Sequence, residues 1–350
     1  MKFELSEDQA LLRSSTRDFL AGEWPIEQAR KVMEHDPRGY DPAAWARLAE
    51  MGYLGLLLPP NLGGQGLGAI ELAIVLEEVG RAAMPGPFLD TVLAAALLAS
   101  AGKRDALVND IAAGKALVTI ARDDAPFSGG NATPTRFEGG RVRGTKYFVP
   151  FAAAADALLV TTLDAVCLVQ KPFEVIALTT FDLAQRFGEV KLDHAATAIG
   201  SPSLLGRVDQ LAAVGAGATL LGLMSRALEI TLEYVQTRSA FKRPIASFQA
   251  LQHRLADMLL KTESTRSAVY RAAWCVDTDA PDTAIACAAA KAYAGDASRL
   301  VCGEAIQMHG GIGFTWELDL HVYFKRAKTL EQHYGSTEAQ IEHTLAAAGF

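Results

Sequence analysis

Tyr234-Val235-Gln236-Thr237-Arg238-Ser239-Ala240-Phe241-Lys242-Arg243-Pro244-Ile245 closes one long helical run, and Gln307-Met308-His309-Gly310-Gly311-Ile312-Gly313-Phe314-Thr315 closes another. Small residues over 212–218, then Leu220, Leu221, Leu223, Met224, Leu228 and Leu232, recur at helical spacing and predict a helix from about Leu205 to near Arg238. Two further helices are predicted over 251–274 and 283–307.

Upstream the character changes. Residues 116–121, 133–137, 141–149, 157–162, 165–170 and 173–178 form short runs rich in β-branched and aromatic residues, parted by turn signals such as Glu138-Gly139-Gly140. They predict an antiparallel β-domain of roughly ninety residues. The first third reads as helical again. Ser6-Glu7-Asp8-Gln9 has the form of a capping box, Asp41-Pro42 opens a second helix, and 69–81 and 88–101 follow on either side of Met84-Pro85-Gly86-Pro87. Helices and strands are segregated, which argues against a doubly wound parallel sheet. The expected class is α+β: an N-terminal α-helical domain (1–112), a central antiparallel β-domain (113–204) and a C-terminal helical bundle (205–350).

Bulk properties limit the functions available. The chain has 350 residues, half of them hydrophobic, and a formal net charge of −7. Disorder is not expected, and nucleic acid binding, which needs basic patches, is disfavoured. Cys167, Cys275, Cys287 and Cys302 form no CxxC pair, so no metal site is expected and buried free thiols are. Met1-Lys2-Phe3-Glu4 does not open like a signal peptide, and the apolar run 92–99 is far short of the roughly 20 residues a membrane helix needs. A cytoplasmic protein is expected. Gly64-Gln65-Gly66-Leu67-Gly68 approaches a dinucleotide fingerprint, but position 69 is Ala and no βαβ unit follows, so a tight helix-to-helix loop is the expectation.

The two opening stretches, with Phe248-Gln249-Ala250-Leu251-Gln252, Leu255-Ala256-Asp257-Met258 and the later Tyr323, Arg326 and Ala327, resemble the two C-terminal signatures of the acyl-CoA dehydrogenases. Leu56-Leu57-Leu58-Pro59, Gly63-Gly64 and Glu77-Glu78-Val79-Gly80-Arg81 look like the same family, so the resemblance spans nearly the whole chain. It implies a C-terminal four-helix bundle that mediates tetramer formation, an acyl-CoA substrate and FAD as cofactor. Arg238 would hold the flavin pyrophosphate, with Phe241, Gln307, Gly310, Gly311, Ser336 and Glu338 also cofactor-facing. In the family these groups reach a flavin seated mainly on the neighbouring subunit. A missing Cβ at Gly310 and Gly311 would let the chain approach the ADP half closely.

The departures from the family pattern concern catalysis. Family members remove an α-proton with a Glu that directly precedes a Gly, and register on Gly335 puts Tyr334 there. A phenol, with an ordinary pKa near 10, is a poor base at neutral pH. The alternative family position for the Glu, on the helix before Arg238, falls on Ala212, and the adjoining Arg position on Ala213. Glu331 is the substitute base considered, against the reading of a solvated loop carboxylate; His309 and His333 read as packing or surface residues and Lys325, Arg326 and Lys328 as a solvated face. The family's flavin-contacting Gly-x-Lys-x-Trp-Ile-Thr matches Gly144-Thr145-Lys146-Tyr147-Phe148-Val149-Pro150. There Phe148 can still stack, while Pro150 has neither hydroxyl nor N–H. The family's Thr-Glu-Pro…Gly-Ser-Asp segment is reduced to Thr119-Ile120-Ala121-Arg122-Asp123-Asp124. This combination resembles the degenerate subunit of heterotetrameric acyl-CoA dehydrogenases known from steroid side-chain degradation. Three readings stay open: a subunit completing the FAD site of a homologous catalytic chain, a self-sufficient homo-oligomeric flavoenzyme with an unusual base, or a non-catalytic flavin or acyl-CoA scaffold.

Overall fold

The computed structural model describes residues 4–103, 106–126 and 132–350; the Met1-Lys2-Phe3 start lies outside them. Helix α1 (Glu7–Glu23) begins at the expected capping box. Ser6 Oγ accepts from the Gln9 N–H at 3.2 Å, and Gln9 Oε1 accepts from the Ser6 N–H at 3.0 Å. Then come α2 (Ile26–His35), α3 (Pro42–Glu50), α4 (Ala69–Arg81), α5 (Phe88–Ser100) and α6 (Ala106–Ala112). The Asp41 carboxylate caps α3 by accepting from the Ala43 N–H at 2.9 Å. The glycine-rich loop before α4 folds back on the chain, the Gly66 N–H donating to Leu58 O at 2.8 Å and the Leu67 N–H to Leu56 O at 3.0 Å.

Among the described residues eight strands follow: β1 (Val118–Ala121), β2 (Arg136–Glu138), β3 (Arg141–Pro150), β4 (Ala157–Thr161), β5 (Val166–Gln170), β6 (Glu174–Leu178), β7 (Phe187–Ala195) and β8 (Thr197–Gly200). After them run α7 (Leu205–Thr237), the hairpin strands β9 (Ser239–Ala240) and β10 (Arg243–Pro244), α8 (Gln249–Asp277), α9 (Thr283–His309), α10 (Leu320–Gln332) and α11 (Thr337–Ala347). The order helices, sheets, helices is the expected α+β architecture.

The chain forms two compact units. One gathers residues 1–29, 69–84 and 210–350; the other gathers 30–68 and 85–209.

In the first unit α4 crosses α7 at backbone distance. A Cβ at Gly222 would stand 1.9 Å from the Glu77 carbonyl oxygen, so no side chain fits there. Two carboxylates are buried beside this crossing. Glu77 pairs with Arg266 and with Arg13 at 3.5 Å, and accepts from the Tyr270 hydroxyl at 2.8 Å. Glu78 accepts from Arg17 Nε and Nη2 at 2.8 and 2.7 Å, with Arg81 Nε 3.5 Å away. A buried carboxylate is stable only with such partners, so this acidic pair holds α1, α4 and α8 in register. The Pro202–Thr237 span is long and apolar enough to cross a bilayer, unlike the shorter run at 92–99, but 94% of its most apolar window is buried within the chain.

The second unit carries two four-stranded sheets, ordered β1-β4-β5-β8 and β2-β3-β7-β6. They share a core to which Val142, Val149, Phe151, Val160, Cys167 and Val190 contribute. The expectation of a wholly antiparallel domain is corrected at one pair: β1 runs parallel to β4, Val118 facing Ala157 through Ala121 facing Val160. Parallel neighbours need a long crossover, and the excursion through β2 and β3 provides it. All four cysteines are free and buried, and burial pushes the Cys167 thiol up to about 11 and Cys302 up to about 12.

Candidate functional site

The two sequence stretches that opened the reading come together in space. The Tyr234 and His309 rings stack with centroids 4.2 Å apart, and the Tyr234 hydroxyl donates to His309 O at 3.4 Å. His309 is buried, its Nδ1 lies 2.7 Å from Ala305 O, and desolvation lowers its pKa, so it serves as a neutral packing residue. This stack fixes the C-terminal end of α7 against that of α9. Arg238 leaves one, exposed, its N–H still bonded to Tyr234 O at 2.8 Å. Gln307, Gly310 and Gly311 leave the other, also exposed.

Beyond Arg238 the chain makes a two-stranded hairpin, closed by the Ile245 N–H donating to Arg238 O at 2.8 Å. Its tip residues Phe241 and Lys242 have φ of 52° and 63°, the doubly left-handed pattern of a type I′ turn that usually calls for Asn or Gly. Phe241 is 90% exposed, its ring edge-on to Phe248 at 6.2 Å, and the Arg243 guanidinium lies 4.2 Å over Phe248. A phenylalanine so placed forgoes roughly 1.5–3 kcal/mol of burial. At the other helix end Gly310 has φ 63° and ψ −139°, a conformation reserved for glycine. A Cβ at Gly310 or Gly311 would meet no atom within 4 Å. Among the described residues, no atom of the chain comes close enough to explain the glycine pair by packing.

The segment after α10 is built inward instead. Tyr334 is held in the left-handed region at φ 61°, followed by Gly335 at 95°. Lys291, fully buried on α9, donates from Nζ to Glu331 O at 3.2 Å and to Gly335 O at 3.0 Å. Desolvation lowers the Lys291 pKa to about 8, against a raising effect of Glu331. The Gln340 amide donates to Tyr334 O at 2.9 Å. Glu331 differs from the solvated loop carboxylate of the sequence reading. It lies within α10, is 6% exposed, and meets Lys328 Nζ at 2.5 Å and Arg299 Nε at 3.6 Å. A carboxylate so paired is an anchor of this segment. Ser336 caps α11, its hydroxyl accepting from the Ala339 N–H at 3.2 Å, while Glu338 is exposed with its pKa lowered by a backbone hydrogen bond and by Ser336. Ala212 and Ala213 are both buried on α7.

Phe148 belongs to the second unit. The β3–β7 register shifts between Lys146 and Val149, and Phe148 sits in that irregularity at φ 49°, edge-on to Phe187 at 6.2 Å. Lys146 is fully buried, pairs with Asp124 at 2.8 Å and donates to Arg122 O at 2.7 Å. Pro150 ends the strand opposite Phe187.

Lys291 and the Tyr234–His309 stack are not among the residues singled out from sequence. The signal for Lys291 is a lone cation in the Ala-rich run Ala288-Ala289-Ala290-Lys291-Ala292. For the stack, only the position of each aromatic at the end of its helix could have hinted at it.

Known proteins place the geometry in a family. Residues 6–114 match the acyl-CoA dehydrogenase N-terminal domain, and residues 210–349 match the acyl-CoA dehydrogenase C-terminal domain. The chain is 33% identical to acyl-CoA dehydrogenase IpdE2 of Mycolicibacterium smegmatis, over 98% of its own length and 99% of the relative's. It is 32% identical to acyl-CoA dehydrogenase FadE27 of Mycobacterium tuberculosis, over 86% and 87%. Among solved structures it is similar to a variant of the Tcur3481–Tcur3483 steroid acyl-CoA dehydrogenase, with a TM-score of 0.89 and 28% identity over 98% of both chains. The ChsE4–ChsE5 complex from Mycobacterium tuberculosis gives a TM-score of 0.88 and 29% identity, over 98% and 97%. The chain belongs to the acyl-CoA dehydrogenase family. It is an oxidoreductase of that flavoenzyme family, whose cofactor is FAD.

Proposed function

We propose that this chain is the base-deficient subunit of a heteromeric acyl-CoA dehydrogenase, lending its C-terminal helix ends to an FAD held mainly by a homologous partner. One observation carries the proposal: the α7 and α9 ends, locked by the Tyr234–His309 stack, leave Arg238, Phe241 and the Gly310–Gly311 backbone exposed, and a Cβ on either glycine would meet no atom of the described residues within 4 Å. Arg238 would supply a guanidinium for the flavin pyrophosphate, Gln307 an amide, and Gly310–Gly311 a stretch of exposed backbone without side chains, the Gly310 N–H itself donating to Gln307 O. Phe148, Ser336 and Glu338 are secondary candidates, Ser336 with its oxygen already engaged in the cap. FAD, when bound, accepts the hydride in α,β-desaturation of an acyl-CoA thioester. The α-proton would go to the partner's carboxylate, because Tyr334 and Ala212 stand at the two expected positions and Glu331 is bound in ion pairs. Two structurally similar proteins, the Tcur3481–Tcur3483 steroid acyl-CoA dehydrogenase and the ChsE4–ChsE5 complex, are two-component by name, which supports a paired arrangement. The divisions near residues 112 and 204 are our proposed sequence boundaries for the three family segments.

The test is flavin content with and without a partner. The chain purified alone is expected to be colourless, and co-expression with a homologous subunit from a neighbouring gene should give one flavin per two chains. A flavin-to-chain ratio near one in the chain alone would favour a self-sufficient enzyme. Flavin or acyl-CoA binding without desaturation in any pairing would favour a scaffold.

A further inference from the structure

Arg238 and Gly310 can serve one bound group only if two helix ends from distant parts of the chain keep a fixed separation. A guanidinium fork is directional, and a constellation of donors works when its members are held to within about 0.5 Å. A side-chain contact spans the junction between these ends. Tyr234 stands one turn before Arg238 on α7, and His309, 75 residues further along the chain, directly precedes Gly310 on α9. Their rings lie 4.2 Å apart with an interplanar angle of 26°, and the Tyr234 hydroxyl reaches the carbonyl of the His309–Gly310 peptide bond at 3.4 Å.

Each member is itself fixed. The Tyr234 carbonyl accepts from the Arg238 N–H at 2.8 Å, so ring and guanidinium belong to one helical turn. His309 is buried, with Nδ1 2.7 Å from Ala305 O. A carbonyl only accepts, so the proton is on Nδ1; Nε2 is bare, buried and without a hydrogen-bond partner among the described residues. The turn after the glycine pair folds back onto the same residue. A Cβ at Gly313 would stand 2.3 Å from Ile306 O and 3.1 Å from His309 Cβ, so no side chain fits there.

We propose that Tyr234 and His309 are positioning residues for the cofactor: their stack sets the distance and angle between Arg238 and Gly310, and neither ring touches the flavin. The inference rests on the flavin reading above and adds to it the element that makes two helix ends act as one site. Two flat rings in contact fix an angle as well as a distance, whereas an aliphatic pair of similar size fills the space and leaves the angle free. The bare Nε2 adds a condition. A second proton there would be a buried charge, and the titratable group facing it, Tyr234, offers no counter-ion. Desolvation accordingly holds the His309 pKa below the ordinary value, and the stack is an arrangement of the neutral imidazole.

The test is the FAD dissociation constant of the co-expressed heteromer, followed by flavin fluorescence, with each substitution in this chain alone. Tyr234→Leu and His309→Leu should each weaken FAD by about tenfold or more in a complex that still assembles. Tyr234→Phe and His309→Phe, which keep the rings, should stay within about twofold of the unmodified complex. Acid supplies a second readout. The unmodified complex should release flavin more readily as pH falls below about 6.5, where a histidine freed from the stack takes up a proton, and His309→Phe should remove that part of the profile. An unchanged constant in Arg238→Ala would sink the flavin reading itself. If Arg238→Ala weakens FAD and the leucine variants do not, or the phenylalanine variants lose as much as the leucine ones, the positioning role is overturned while the flavin reading stands. Should the leucine variants fail to assemble, the acid profile decides, and equal acid release with His309 and with His309→Phe would overturn the proposal.

Discussion

The hairpin after α7 and the segment after α10 use the same uncommon backbone for opposite ends. Phe241 and Lys242 in the first, and Tyr334 in the second, are non-glycine residues with φ near 50–60°. In the hairpin the strain presents a phenylalanine to solvent. In the other segment it is clamped by Lys291, Gln340 and the Glu331 ion pairs, all within the chain. Left-handed residues persist where surroundings over-determine them. The inward segment has those surroundings within the chain, whereas on our proposal the hairpin gains them from the partner subunit. That asymmetry is why we propose the C-terminal helix ends as a donated surface, while the Tyr334 segment is a structural closure.

Lys291 carries the largest expected effect. Lys291→Ala strips the donor from the Glu331 and Gly335 carbonyls and leaves a cavity, and should cost about 2–4 kcal/mol in denaturant unfolding. Little change would mean that the segment is not clamped as described. The same side chain sets a pH dependence. Its folded pKa of about 8 lies below the unfolded value of about 10.4, so between those values the unfolded chain binds more protons. The contribution of Lys291 therefore becomes favourable as pH rises from about 8 to 10.4 and is lost as pH falls through about 8, with a slope of up to about 1.4 kcal/mol per pH unit. Lys291→Ala should flatten that part of the stability profile.

Gly310 and Gly311 separate backbone from contact. Gly310→Ala should cost about 1–3 kcal/mol through conformation alone, since its Cβ meets no atom. Gly311→Ala should change the stability of the isolated chain by no more than about 0.5 kcal/mol. Phe241→Ser has the smallest expected effect on the isolated chain, within about 0.5 kcal/mol, but should weaken association with the partner tenfold or more. Loss of monomer stability with unchanged association would reverse the roles assigned to the two regions.

Much of this was legible before the fold was seen. The α4 limits coincide with the apolar periodicity, and the α7, α8 and α9 limits fall within a few residues of it, because long helices repeat their signal many times. Helix α2 escaped because its buried Ala29, Val32 and Met33 are outnumbered by polar neighbours in a short span. Strand β7 escaped because Glu189, Lys191 and Asp193 dilute its alternation, and the β1–β4 pairing joins segments far apart in sequence, which no local pattern encodes. At the site, the residue types at Arg238, Gln307 and Gly310–Gly311 were readable from the motifs, as were the absent carboxylates at Tyr334 and Ala212. The burial of Glu331 was not, because its partners Arg299 and Lys328 come from two different helices.

The central claim is that Arg238 serves a flavin on another subunit. Its most direct test is the flavin-to-chain ratio of the co-expressed heteromer carrying Arg238→Ala in this chain alone. The account predicts an assembled complex that has lost most of its flavin, while the isolated chain keeps wild-type stability. Flavin content equal to that of the unmodified complex would contradict it.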